Sequence, residues 1–161
     1  MKIIECVPNF SEGRDMAIIK KITDAIESVS GITLLDVDPG ADTNRTVVSI
    51  VGDPESVIEA AFAGIKIASK IIDMRKHSGA HARMGATDVC PLVPISETTM
   101  EDCVEYSKIL GEKVGKELKI PIFLYEYSAV TTKRNNLAKI RSGQFEGMAD
   151  KMKSSEWKPD Y

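Results

Sequence analysis

Two β-prone runs, Ile32–Asp38 and Arg45–Val51, follow one another with only Pro39-Gly40 and a short polar loop between them, and a helical period flanks the pair on each side. Consecutive strands this close are joined by a turn, whereas each flanking helix demands a crossover. The upstream helix begins at Asp15, carries Ile19, Ile22, Ile26 and Val29 on one face, and is closed by Gly31. A short strand, Ile3–Val7, precedes it, and Pro8-Asn9-Phe10-Ser11-Glu12-Gly13 separates the two. The downstream helix opens at Gly52-Asp53-Pro54-Glu55, where Asp53 can accept backbone N–H groups and Pro54 sits where its missing donor costs nothing, and it runs to about Ile72.

After an irregular loop, Asp73–Asp88, the run Val89–Pro94 contains two prolines and reads as an edge or bulged strand. Thr98-x-x-Glu101 reads as a capping box for a helix whose face is Met100, Cys103, Val104, Leu110, Val114 and Leu118. Ile120–Tyr125 is expected to be another strand, and the polar remainder to be helical. The order β-α-β-β-α-β with an added unit is the split βαβ arrangement. It predicts an α/β (α+β) domain over residues 1–161, with a ferredoxin-like mixed sheet of five to six strands and helices on one face. The other face, for which few elements remain, is expected to meet a partner.

At 161 residues, with 43% apolar residues, the chain can bury roughly 70% of its unfolded surface and needs no disulfide or structural metal to fold. No apolar stretch approaches the roughly 18 residues of a membrane span, and Met1–Cys6 lacks a signal-peptide core, so a cytoplasmic protein without membrane partners is expected. Lys and Arg number 21 against 24 Asp and Glu, and only 6% of residues are aromatic, which argues against a nucleic-acid surface. Cys6, Cys90 and Cys103 form no C-x-x-C and read as buried reduced thiols.

Chemistry has few places to sit. The stretch His77–Asp88 holds both histidines, an arginine and an aspartate in a connection too long to be a simple turn. Two histidines four apart could equally be solvated surface groups, and no third metal ligand is evident, so no metal is expected. Asp36 and Asp38 share one face of a strand about 7 Å apart, with Leu35 and Val37 pointing the other way, although Asp38-Pro39-Gly40 is also ordinary turn chemistry. Asn9, Ser11 and Glu12 could likewise be turn and capping residues.

Four stretches in order carry a specific resemblance: Glu5-Cys6-Val7-Pro8-Asn9-Phe10-Ser11-Glu12-Gly13, Leu34–Asp38, Thr43-Asn44-Arg45-Thr46-Val47, and Gly79-Ala80-His81-Ala82-Arg83-Met84-Gly85-Ala86-Thr87-Asp88-Val89-Cys90-Pro91. The chain resembles the N-terminal subdomain of the glutamate formiminotransferase family through Glu156–Tyr161, with Ala82 where the family usually has proline. The resemblance implies transfer of a formimino group from N-formimino-L-glutamate to N5 of tetrahydrofolate, which enters as a substrate in a passage between two facing subdomains. The C-terminal subdomain is expected to be absent here, its place taken by a second copy of the chain in a homodimer or by a separate polypeptide. His81 is implied as the acid-base residue, and His77 is not. Asp38 is expected to contact the cationic one-carbon group or to position His81, while Asp36 lies deeper and is structural. Asn9, Ser11, Asn44, Arg45, Arg83, Met84 and Gly85 are expected around folate and substrate, with Arg45 or Arg83 holding carboxylates. The alternatives are an enzyme acting on 5-formyltetrahydrofolate and a folate-binding module without catalysis.

Overall fold

Strand β4, Arg45–Gly52, is the axis of the sheet. In a computed structural model describing residues 1–161, β4 pairs on one side with β3, Ile32–Gly40, and on the other with both β1, Ile3–Cys6, and β2, Asn9–Phe10. Two further strands, β5 (Thr87–Val89) and β6 (Leu92–Ser96), lie outside β2 and β1 respectively. Cys6 opposes Ile50 and Asn9 opposes Val47, so β1 and β2 are one line of chain along the same edge, interrupted at Val7-Pro8. β5 and β6 are interrupted alongside, at Cys90-Pro91, and the two breaks lock together: Val7 N–H donates to the Pro91 carbonyl (3.1 Å) while Val48 N–H donates to the Pro8 carbonyl (3.0 Å). Prolines deny the ladder a donor at just these points.

The six strands thus act as four, in the order β5/β6, β1/β2, β4, β3, which is the expected split βαβ sheet. Its pairing is antiparallel throughout, not mixed. The reason is topological. The crossover through α1, Met16–Glu27, joins β1 to β3 with β4 lying between them, and the crossover through α2, Pro54–Ile71, joins β4 to β6 with β1 between, so co-directional strands are never neighbours.

Alternation along β4 gives the sheet two unlike faces. Thr46, Val48 and Ile50 are buried together with Ile4, Cys6 and Phe10 beneath Ile22 and Ile26 of α1 and Val57, Ala61 and Ile65 of α2. The two helices approach closely at Gly64, where a Cβ would stand 2.9 Å from the Ile26 Cγ1 atom. On the opposite face Val47, Ser49 and Val51 are only partly covered, and Leu35, Val93 and Ile95 are exposed. Helices therefore pack on one face, as the sequence leads one to expect. α2 starts as read, with Asp53 accepting from Ser56 N–H at 3.0 Å and Pro54 at the first position.

Three local expectations change. The capping box of α3, Met100–Leu118, is Thr99 with Asp102, one residue later than read, because the Thr98 hydroxyl instead donates to the Ile3 carbonyl (3.1 Å). Asp36 is not deeper than Asp38. Leu34 opposes Ile50 and Asp36 opposes Ser49, so Leu35 is an unpaired bulge residue, and both aspartates are exposed on the open face. Ile120–Tyr125 is not a strand of the sheet, because the backbone bonds of Ile122 at its centre are spent outside the sheet. The segment pairs with the C-terminus instead, through Ile122 N–H to Tyr161 O (3.1 Å) and Asp160 N–H to Ile122 O (2.8 Å). Arg134, almost fully buried, fastens that tail by donating to Asp160 Oδ1 (2.7 Å) and to the Glu156 and Lys158 carbonyls. The polar remainder forms α4, Leu137–Arg141, and α5, Gln144–Lys151. No helix is long and apolar enough to cross a membrane.

The two faces give a direct stability test. Ile50→Ala should cost about 2–5 kcal/mol in denaturant unfolding, whereas Val51→Ala, one residue along on the open face, should cost under about 1 kcal/mol. Equal losses would show that the open face is packed in solution.

Candidate functional site

Register places the polar residues at one end of the open face. Asp38 opposes Val47 from one side and Asn9 opposes it from the other, so Asp38, Val47 and Asn9 form a row across three strands. Arg45, opposite Gly40, is two residues along β4 on the same face and therefore a diagonal neighbour of Asp38, roughly 7 Å away in ordinary sheet geometry. Its Nε donates to Asn9 Oδ1 (3.0 Å) and its Nη1 to Asp88 Oδ2 (2.6 Å). Asp88 reaches this face through a second bulge: Val89 opposes Asn9 and Thr87 opposes Phe10, leaving Asp88 as the extra residue. Its carboxylate is fully buried and also accepts from Met84 N–H (2.6 Å) and Arg141 Nη2 (2.7 Å).

The loop between α2 and β5 is fastened onto the β3–β4 turn. Asn44 holds the left-handed conformation at φ 49°, and its side chain accepts from Gly13 N–H (2.9 Å) and donates to the Ser78 carbonyl (3.1 Å). Gly79 lies so close that a Cβ would stand 2.2 Å from the Thr43 carbonyl oxygen, and Ala80 N–H donates to the Asp42 carbonyl (2.9 Å). Ser11 holds the far end of the loop, its hydroxyl donating to the Gly85 carbonyl (2.7 Å) and its N–H to the Ala86 carbonyl (2.8 Å). Arg83 commits all five donors: Nε to His77 Nδ1 (2.9 Å), Nη2 to the His77 carbonyl (3.0 Å), Nη1 to Gln144, and a two-pronged pair with Glu146 at 2.7 and 2.8 Å.

These bonds sort the two histidines. Because Arg83 donates to His77 Nδ1, that ring carries its proton on Nε2 and gives it to the Asn44 carbonyl (2.8 Å), leaving neither nitrogen available. His81 pairs only Nδ1, with the carbonyl of its neighbour Ala82. A carbonyl can only accept, so Nδ1 bears a hydrogen, and Nε2 is left without a protein partner.

Of the residues singled out in the sequence, the structure brings Asp38, Asn9 and Arg45 together on the sheet. It commits Ser11, Asn44 and Arg83 to holding the loop, uses Met84 and Gly85 through their backbones, and leaves His81 free. A substrate carboxylate could reach Arg83 only by displacing Glu146. Arg141 carries no signal in the sequence, since its partner is 53 residues away and α4 is five residues long. A cavity of about 1120 Å³ is bordered by the Met84–Asp88 segment and walled mainly by apolar side chains such as Met100, Leu110, Ile122 and Phe145, and neither histidine lines it.

The chain matches the model of the formiminotransferase domain, N-terminal subdomain, over residues 3–161. It is 54% identical over 160 residues to the glutamate formimidoyltransferase of Streptococcus pyogenes, covering 99% of this chain and 54% of that protein. It is 52% identical to the formimidoyltransferase-cyclodeaminase of Dictyostelium discoideum, again over 99% of this chain but 30% of the relative, and 47% identical to the glutamate formimidoyltransferase of Thermoplasma acidophilum. The chain thus spans between about a third and a half of these relatives' lengths.

The Arg83–Glu146 pair predicts an acid dependence. Hydrogen bonding from Arg83 holds the Glu146 carboxyl down to about 2, against an ordinary value near 4.5. A depressed folded-state value means the pair stabilises fully above about pH 5 and is lost as pH falls toward 2. Thermal melts of Glu146→Gln against the parent chain should therefore differ at pH 7 and converge near pH 2; an unchanged gap across that range would remove the pair from the acid response.

Proposed function

We propose that this chain, which belongs to the formiminotransferase family as its N-terminal subdomain, provides the acid-base half of an enzyme that moves a formimino group from N-formimino-L-glutamate to N5 of tetrahydrofolate. The observation that carries this reading is the unequal state of the two histidines: His77 is spent on the fold, while His81 keeps Nε2 free of any protein partner on a loop anchored at both ends.

N5 must lose a proton as it attacks the amidine carbon, and the glutamate amine must gain one as its bond to that carbon breaks. One imidazole can take the first proton at Nε2 and return it to the leaving amine, so the step balances without another acid. The formimino group is an amidinium, for which a carboxylate is the fitting partner. Asp38, exposed on the sheet beside Arg45 and at the turn that seats the His81 loop, is that carboxylate. The open sheet face is where the remaining half of the passage would pack, supplied by a second subdomain, a separate polypeptide or a second copy of the chain. Leu35, Val93 and Ile95 stand exposed there. Tetrahydrofolate is then a substrate held between the two halves.

His81→Ala should lower formimino transfer at least about 100-fold with little change in melting temperature. His77→Ala should chiefly lower the melting temperature, by removing the acceptor for Arg83. Asp38→Asn should lower turnover and leave stability intact. Spectrophotometric assay of the folate product, with the complementary half present, checks all three; full activity in His81→Ala would sink the assignment.

A further inference from the structure

Two guanidiniums share one carboxylate at the end of the open face. Arg45 Nη1 and Arg141 Nη2 both donate to Asp88 Oδ2, at 2.6 and 2.7 Å, while Asp88 Oδ1 is taken by Met84 N–H. Neither arginine has another acidic partner, so the cluster holds two positive charges against one negative, with the arginine side chains only 10% and 16% exposed. An uncompensated charge this far from water is costly, and one arginine alone would neutralise Asp88. The spare donors point the same way: Arg141 Nε is buried with no partner, and Arg45 Nη2 has none in the protein.

We infer that Arg45 and Arg141 form a carboxylate clamp, with Asp88 as the fixed anion that orients both guanidiniums and the ligand's carboxylate as the second anion that completes the charge balance. Two planar donor forks match a carboxylate, and the site takes a glutamyl carboxylate. Resting on the transferase reading, the clamp explains how a substrate with an amidinium at one end and carboxylates at the other would be held: the cation at Asp38, the anion one diagonal step away along the sheet at Arg45. Arg141 is thereby a binding residue contributed by α4. A glutamyl carboxylate has two sources, the formimino donor and the tail of the folate.

Titration calorimetry of the full chain separates them. Arg141→Gln should weaken binding of N-formimino-L-glutamate and L-glutamate at least about tenfold if the donor occupies the clamp. It should instead weaken tetrahydrofolate, but not tetrahydropteroate, which lacks the glutamyl tail, if the folate does. Arg141→Lys, which keeps the charge and loses the fork, should fall between. Should Arg141→Gln fail to fold, phenylglyoxal labelling of the unmutated chain reads the same contact: L-glutamate or tetrahydrofolate should slow modification of Arg45 and Arg141 but not of the solvent-facing Arg75, which pairs with Asp73 instead. Unchanged affinities in Arg141→Gln, unprotected arginines, or a parent chain that binds none of these ligands would overturn the clamp. A chain that binds glutamate through Arg141 yet transfers no formimino group with the complementary half present would overturn the transferase reading and leave the clamp standing.

Discussion

The buried carboxylate of Asp88 is the interaction on which the rest of the polar end depends. A carboxylate removed from water is tolerated only when its lone pairs are taken, and here two guanidiniums and a backbone N–H take them. Those three donors come from β4, from α4 and from the turn entering β5, elements far apart in sequence. The bulge that leaves Asp88 unpaired in the ladder is what turns it to the open face. Remove the carboxylate and two nearly buried cations face each other with nothing between them.

Around that centre the polar residues divide between holding and presenting. Asn44, Ser11 and Arg83 spend their hydrogen-bonding capacity on the backbone of the loop, on His77 and on α5. A loop fastened this way keeps its conformation without a ligand, so little ordering entropy remains to be spent when one binds. What is left unspent, the Nε2 of His81 and the carboxylate of Asp38, is correspondingly well placed. Ala82, where the family usually has proline, fits this picture, because the neighbouring bonds of Gly79, Ala80 and Arg83 fix the loop without help from a restricted φ.

Much of the architecture was legible because it is local. The Asp53-Pro54 start of α2, the Ile19-Ile22-Ile26 stripe of α1 and the alternation of β4 each encode one element within a few residues. Ile120–Tyr125 was misread for the opposite reason: its composition is β-prone, but strand pairing needs a neighbour with free donors, and whether one exists is not a property of the segment. The site shows the same division. Family resemblance pointed to His81 and Asp38, yet nothing in the sequence says that Arg83 has no donor to spare. That fact depends on Glu146 and Gln144, more than 60 residues away. Arg141 was invisible because its meaning lies entirely in a bulged aspartate on another element.

Both outer strands of the sheet are poor templates for a further strand. On one border Pro91 and Pro94 remove donors, and Ile95 is skipped where Ile3 pairs with Ser96 and Ile4 with Pro94. On the other, Pro39 and the bulge at Leu35 break the line of β3. Edge-to-edge growth, the route by which exposed strands recruit one another into aggregates, is therefore blocked on both sides. A chain with an uncovered apolar sheet face stays selective for this reason: whatever meets it must do so broadside, with a surface shaped to that face, and cannot merely add a strand.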